Sequence, residues 1–353
     1  MLLGILLVTI VLAILSQIED GLYNDFFFVV AVSVLVLFCG MRDPFLYPDM
    51  GNYYDYFVGD VGDLDENFGL GYSMLTYSFN LLTGSFFLFL LVISTFTITS
   101  YTIFIKKYSP YIWLSLLLYL FINYYPSFFL LRQYLAMAVF LFSIKYIICR
   151  DALKFGIISI VAISLHLSAV VVVPLYFLYG LSLTTKNMIL LAFGSLLSIL
   201  FFMKFADIVN LFSAYYALYF ESENESVAWQ RALMKIYIAI LYVYVVGRNC
   251  YNEGINRVVF YANLLNVIIC VAAMNMNGVF RLREYFAFAD FIGVPIIIEE
   301  ITYQNKWKQF LLYGMVFIYI LLLFVAFCSF IFSDNMNNDY RFFWSGEDYW
   351  MLK

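Results

Sequence analysis

Apolar runs recur from one end of the chain to the other. They run from about 14 to 25 residues, around the roughly 20 at which a helix crosses about 30 Å of hydrocarbon. They fall near 2–18, 26–41, 84–105, 111–125, 127–148, 153–167, 169–182, 188–204, 231–247, 257–275, 283–300 and 308–332. The pattern predicts an all-α polytopic integral membrane protein with about 12 transmembrane segments, within a range of about 10–12. A single transmembrane domain is expected over 1–353. The stretch FGIISIVAISLHLSAVVVVPLYFLYG reads either as one long helix or as two short ones that turn around His166. The first residues, MLLGILLVTIVLAILSQIED, lack a basic start and an A-x-A cleavage site, so they are expected to stay as a helix.

Polar residues between the runs set the orientation. The short loops KKYSP (106–110), CRDALK (149–154), RNCYNEGINR (248–257) and NKWK (305–308) are basic and are placed in the cytoplasm. If 153–182 crosses twice, the acidic loop 205–230 lies outside with the other acidic stretches, and both termini are outside. That topology is preferred. It puts loops within 42–83 and 205–230 and the tail 333–353 on the outer side. Arg42, Arg132, His166, Arg281 and Arg283 then gather at or just below the outer surface, against the usual bias of positive charge.

Composition narrows the class. Hydrophobic residues make up 65% of the chain and charged residues 12%, against about 25% charged in a soluble domain. The net charge of −5 says little, because placement matters more than the sum. The cysteines Cys39, Cys149, Cys250, Cys270 and Cys328 are scattered through apolar runs and form no CxxC or Cys/His cluster. No metal or other cofactor is therefore expected. Walker A, GxGxxG and HExxH patterns are absent, which argues against an ATP-driven pump or a zinc protease. No basic face supports nucleic-acid binding.

The candidate chemistry sits where charge enters apolar sequence. In SFFLLRQYLAMAVF (127–140), Arg132 and Gln133 lie inside a run read as membrane-buried helix. An arginine at that depth costs several kcal/mol unless something offsets it, so it is a site hypothesis by default. Arg281 and Arg283 open a later helix in NGVFRLREYFAF, two residues apart, so one can face a cavity and the other the lipid or Glu284. Arginine suits phosphate because its planar fork donates two parallel hydrogen bonds and stays charged. His166, the sole histidine, can take a proton from a hydroxyl or donate to phosphate. In the first outer loop Asp43, Asp49 and Asp55 are interleaved with Tyr47, Tyr53, Tyr54 and Tyr56. Carboxylates can orient or deprotonate sugar hydroxyls, and the rings of Tyr53 and Tyr54 can stack on sugar faces. Tyr340, Phe342, Phe343 and Trp344 make the tail similarly aromatic.

Three stretches resemble the Wzy/EpsG-type polysaccharide polymerases of bacterial envelopes, which include O-antigen polymerases. Arg42 followed by Asp49 and Tyr53 is similar to that family's R…G-x-D-x-x-x-Y pattern, with Tyr47 where glycine is common. LRQYLAMAVFLFSIKYI, a short basic loop, and LKFGIISIVAISLHLSAVVVVPLY resemble its R-Q-x-x-A helix and a helix ending in histidine with Ser-Ala two residues on. FRLREYF is similar to its arginine-plus-aromatic entry into a late helix. The resemblance implies a GT-C-like, metal-independent glycosyltransferase at the periplasmic face of the inner membrane. Its substrates would be undecaprenyl-pyrophosphate-linked oligosaccharides held among membrane lipid, and a chain-length-determining membrane protein is a candidate partner. Arg132, Gln133, Arg281, Arg283 and Arg42 would meet pyrophosphate, and His166 or Asp49 would be the base. A lipid-linked oligosaccharide flippase is the alternative from another class, but the polar residues gather at one depth. An O-antigen ligase usually carries a larger late outer loop than the short one here at 276–282.

Overall fold

The computed structural model describes residues 22–47, 49–59, 68–187, 189–198, 225–247, 254–272, 281–331 and 341–345, with positions 8, 9, 11, 12, 14 and 249. Among the described residues the chain is helical, save for one bridge between Arg42 and Phe342. In order the helices are α1 (Leu22–Gly40), α2 (Met50–Val58), α3 (Leu70–Thr83), α4 (Phe86–Tyr108), α5 (Ile112–Tyr119), α6 (Leu131–Leu141) and α7 (Ile144–Ile148). They continue with α8 (Ala152–Leu165), α9 (Val173–Tyr179), α10 (Glu225–Val246), α11 (Ile255–Ala272), α12 (Phe288–Ile301) and α13 (Lys306–Ile331).

Among the described residues, five stretches are long and apolar enough to cross a membrane: Phe86–Tyr108, Leu131–Ile148, Trp229–Val246, Ile255–Ala272 and Lys306–Ser329. Shorter apolar helices cover Asp25–Gly40, Ile112–Tyr124, Ala152–Leu165 and Leu167–Tyr179. The chain is a helical membrane protein. Most of the expected segment 2–18, part of 188–204, most of the loop 205–230, the loop 276–282 save its last residues, and most of the tail 333–353 lie outside the described residues.

The chain divides into two compact units. The first comprises Met1–Ser143, Leu153–Val170 and Ile320–Lys353. Its spine is α1 packed along α4, and α6 packs on α4 as well. Gly40 allows the close approach: a Cβ there would lie 2.6 Å from Leu91 Cδ1. The Ser85 hydroxyl caps α4 by accepting from Leu88 N at 3.4 Å, and Lys106 and Lys107 in its last turn complement the helix dipole. One local feature departs from the sequence reading, and a second bears on an alternative left open there. The stretch 42–83, read as loop, holds α2 and α3, whose 9 and 14 residues are too short to register as spans. The α3 face carrying Leu70, Met74, Tyr77 and Leu81 is exposed, while Tyr72 and Thr76 are buried. Second, the run through His166 is not one continuous helix. α8 ends at Leu165 and a 3-10 turn spans Leu167–Val172. His166 N donates to Ala162 O (3.0 Å) and its carbonyl accepts from Ala169 N (2.9 Å).

The second unit comprises Ile144–Ala152 and Val171–Tyr319. Here α11 packs against α9, α10 and α12, and against the 3-10 turn Arg281–Phe286 that leads into α12. Gly293 keeps α12 close to α10 and α11, since a Cβ would meet Val259 Cγ1 at 3.1 Å and Tyr242 at 3.4 Å. Ala262, Ile292, Val294 and Ile297 are sealed from solvent in the unit's interior.

Candidate functional site

Arg132 does not sit where a helix over 127–148 would put it. Pro126 opens a 3-10 turn over Pro126–Phe128, and Leu130 leaves the helical region (φ −91, ψ 52), so α6 begins at Leu131. Arg132 is helical as expected, but it stands in the first turn rather than further along. Proline cannot donate an amide hydrogen bond, which favours this break. The position is electrostatically awkward, because the N-terminal end of a helix carries partial positive charge.

Aromatic rings offset that cost. The guanidinium carbon lies 4.3 Å from the Phe68 ring centroid, 5.8 Å from Tyr53 and 5.9 Å from Tyr72. A cation over a ring face gains about 0.5–1 kcal/mol when exposed and about 2 when desolvated. These rings are buried, and Arg132 itself is half-buried. Their positions are fixed in turn by packing. Phe68 stacks on Tyr56 (centroids 3.9 Å), whose hydroxyl donates to Ser73 Oγ at 2.6 Å. Tyr53 lies 6.0 Å from both Phe68 and Tyr72. Its hydroxyl feels the charge of Arg132. Burial pushes the Tyr53 pKa up, while the charge of Arg132 pulls against that rise. The hydroxyl therefore stays neutral at ordinary pH.

Asp49 belongs to the same neighbourhood, since its charge acts on the Tyr53 hydroxyl. It is exposed and precedes α2, and its carbonyl accepts from Tyr53 N at 3.3 Å. Its φ of 62° is left-handed, a conformation that aspartate tolerates better than most residues but that still costs energy. His166 reaches this region through the backbone. A Cβ on Gly69 would lie 2.6 Å from the Ser164 carbonyl oxygen, so the end of α8 is pressed onto the turn that carries Phe68. His166 is half-buried two residues beyond that contact. Gln133 is buried beside Arg132 in α6.

Three expected roles read differently here. Arg42 has no exposed surface. It donates to the carbonyls of Phe128 and Cys39 and to Ser94 Oγ at 3.3 Å, and its guanidinium lies 5.2 Å from the Phe128 ring centroid. It is a brace that satisfies backbone carbonyls where helices end, a need that sequence alone does not reveal. The 341–345 segment pairs beside it, through Asp43 N to Arg341 O (2.8 Å) and Phe343 N to Met41 O (2.9 Å). Tyr53 is turned inward onto Arg132 rather than toward a sugar. Tyr54 is half-buried, packed edge-on against Phe45 and Phe86 at 5.4 Å from each.

In the second unit Arg281 is exposed, and Arg283 Nε contacts Glu284 Oε1 at 3.0 Å with 22% of its side chain exposed. Sequence reading missed the strongest buried charge in this unit. Lys235 forms an ion pair with Asp290, and Tyr319 donates to Asp290 Oδ1 at 3.0 Å. The signal was present, because a lysine in ALMKIYIAI and an aspartate in FAFADFIG each interrupt an apolar run. Among the described residues, no group of three or more His, Cys, Asp or Glu is placed to hold a metal ion.

The sequence pattern that defines the EpsG family matches residues 7–341. The chain belongs to that family, and membership points to a role in polysaccharide polymerisation. No curated protein and no solved structure matches the chain.

Proposed function

Taking membership of the EpsG family as the premise, we propose that the protein is a polysaccharide polymerase of about 12 transmembrane segments with a GT-C-like fold. It transfers a growing glycan from undecaprenyl pyrophosphate to an incoming undecaprenyl-pyrophosphate-linked repeat unit. The reaction takes place at the periplasmic face of the inner membrane. The observation that carries this reading is the half-buried Arg132 guanidinium, held against three aromatic rings in the first turn of α6.

The chemistry follows from that placement. An acceptor hydroxyl attacks the anomeric carbon of the donor glycan as the bond from that carbon to the pyrophosphate oxygen breaks. The leaving oxygen takes the electron pair, so negative charge grows on the pyrophosphate. Arg132 meets that charge in a site whose rings lower the local dielectric. The amide groups of a helix's first turn favour an anion at the same end, so helix and side chain act together. The hydroxyl proton passes to His166 or to Asp49. Both border the Arg132 region, His166 through the Gly69 turn and Asp49 through Tyr53. In the second unit Arg281 and Arg283 are the groups for a lipid-linked pyrophosphate, because both keep exposed surface. Gln133 supports Arg132, and Arg42 braces the helix ends.

The test is glycan banding on a gel from a strain lacking the gene, complemented with wild type or Arg132→Ala at equal membrane abundance. A full ladder with wild type and a single repeat unit with the variant is the expected result. A deletion strain with no surface repeat unit at all would instead indicate export, and the flippase reading would replace this one.

A further inference from the structure

The first unit carries a groove that the proposed chemistry does not use. It runs between α1 and α4, bordered by side chains within 28–37 on the first helix and 95–103 on the second, and encloses about 520 Å³. Volumes of about 300–1,000 Å³ are those of sites that take a small molecule. The groove opens outward, since Val29, Ser33, Leu37 and Ile103 on its walls are exposed. Its threonines do not make it polar. Thr95 Oγ1 donates to Leu91 O at 2.7 Å and Thr102 Oγ1 to Ile98 O at 3.0 Å, so both hydroxyls are satisfied within α4.

The two ends of the groove differ. At the Phe28 end, Lys106 Nζ lies 5.1 Å from the Phe28 ring centroid and forms an ion pair with Asp25. Lys106 is 43% and Asp25 68% exposed, so a ligand can reach both. Lys107 beside them is exposed as well. An exposed ion pair adds little to stability. An ammonium and a carboxylate joined by one hydrogen bond keep further donors and acceptors for a third group. From position 28 to position 37 a helix rises about 13 Å, close to half of the roughly 30 Å of hydrocarbon in a bilayer. The groove is thus an apolar trough one leaflet deep, with a paired cation and anion at its mouth. It lies apart from the Arg132 region. The Tyr72 ring beside Arg132 is 6.2 Å from Phe89 of α4, and Lys106 stands about 25 Å further along that helix.

We propose that the groove binds one phospholipid from the leaflet on the Lys106 side, its acyl chain lying in the trough and its ethanolamine headgroup on the Lys106–Asp25 pair. The lipid phosphate accepts from the Lys106 ammonium, and the lipid ammonium donates to the Asp25 carboxylate. Depth and charge together select this occupant. A partner helix would need a seam along the whole span, whereas an acyl chain fills one leaflet. A headgroup carrying phosphate without an ammonium would satisfy Lys106 but bring its negative charge beside Asp25. The bound lipid would fill the seam between α1 and α4, the spine of the unit.

The experiment titrates full-length protein in mild detergent with dioleoyl phosphatidylethanolamine or dioleoyl phosphatidylglycerol, which share their acyl chains, and counts bound lipid by native mass spectrometry. Each variant is checked by thermal melting. Wild type should bind the ethanolamine lipid at least about threefold more tightly than the glycerol lipid, and Asp25→Asn should erase that preference. Ser33→Phe, a filling change at an exposed wall position, should weaken binding of both lipids about tenfold. Wild-type protein that retains neither lipid, or that binds the glycerol lipid as well as the ethanolamine one, overturns the proposal. So does a Ser33→Phe variant that binds like wild type, which would mean that the lipids sit elsewhere on the surface. If Ser33→Phe does not fold, Lys106→Gln at the exposed mouth decides: it should weaken both lipids about threefold, and unchanged binding overturns the proposal.

Discussion

Each unit places a cation among apolar side chains, and the two do so by different chemistry. Arg132 lies over the rings of Phe68, Tyr53 and Tyr72. Lys235 meets the carboxylate of Asp290. A ring attracts a cation through its quadrupole but carries no net charge, so an approaching anion still feels the arginine. A carboxylate cancels the lysine's charge and closes the pair to outside ligands. The first arrangement suits a binding group and the second suits a brace. Intramembrane charge thus does not mark a ligand site by itself; what surrounds the charge decides.

The largest effect expected from this contrast is on Arg132. Arg132→Ala should lower polymer formation about 100- to 1,000-fold, the scale seen when one preorganised charge-stabilising group is lost. Arg132→Lys should keep the charge but lose the planar fork, at a cost of about tenfold. Folding should be little changed, since the remaining rings can pack on one another.

The Lys235–Asp290 pair should show the opposite profile. Asp290→Asn alone leaves the lysine buried without its acid, and should destabilise the protein by about 3–5 kcal/mol in thermal or denaturant unfolding. Adding Lys235→Met should recover most of that loss, to within about 1 kcal/mol of wild type. Non-recovery would show that the pair is more than a mutually neutralising couple.

A smaller effect tests the rings. Phe68→Leu removes the nearest face, at 4.3 Å, and should lower turnover about fivefold, on the order of 1 kcal/mol. Tyr72→Phe keeps a ring at 5.9 Å and should stay within about twofold of wild type. If Tyr72→Phe were as damaging as Phe68→Leu, the hydroxyl rather than the ring would be the working group.

Helix positions were legible where apolar runs are long, because length and hydropathy are local properties. α4, α10, α11 and α13 correspond closely to the predicted segments. α2 and α3 escaped because they are short and because the interleaved acids and tyrosines of 49–58 resemble loop sequence. Arg132 stood out at once as a charge in an apolar run, and its belonging to the first turn of α6 depended on how Pro126 and Leu130 resolve the chain. Its ring partners come from residues some 60–80 positions earlier, which no local pattern exposes. Arg42 shows the reverse failure. It looks like a ligand group at a helix end, yet it serves the carbonyls of Cys39 and Phe128. Lys235 and Asp290 were each visible as interruptions, but their pairing across 55 residues was not.

In the proposed reaction Arg132 carries glycan transfer while its rings only hold it. The most direct measurement is the chain-length distribution made from undecaprenyl-pyrophosphate-linked repeat units by purified protein in liposomes, comparing wild type with Arg132→Ala at matched melting temperature. Long polymer from wild type and unextended repeat units from the variant is the predicted result. Polymer of equal length and amount from both would contradict the account.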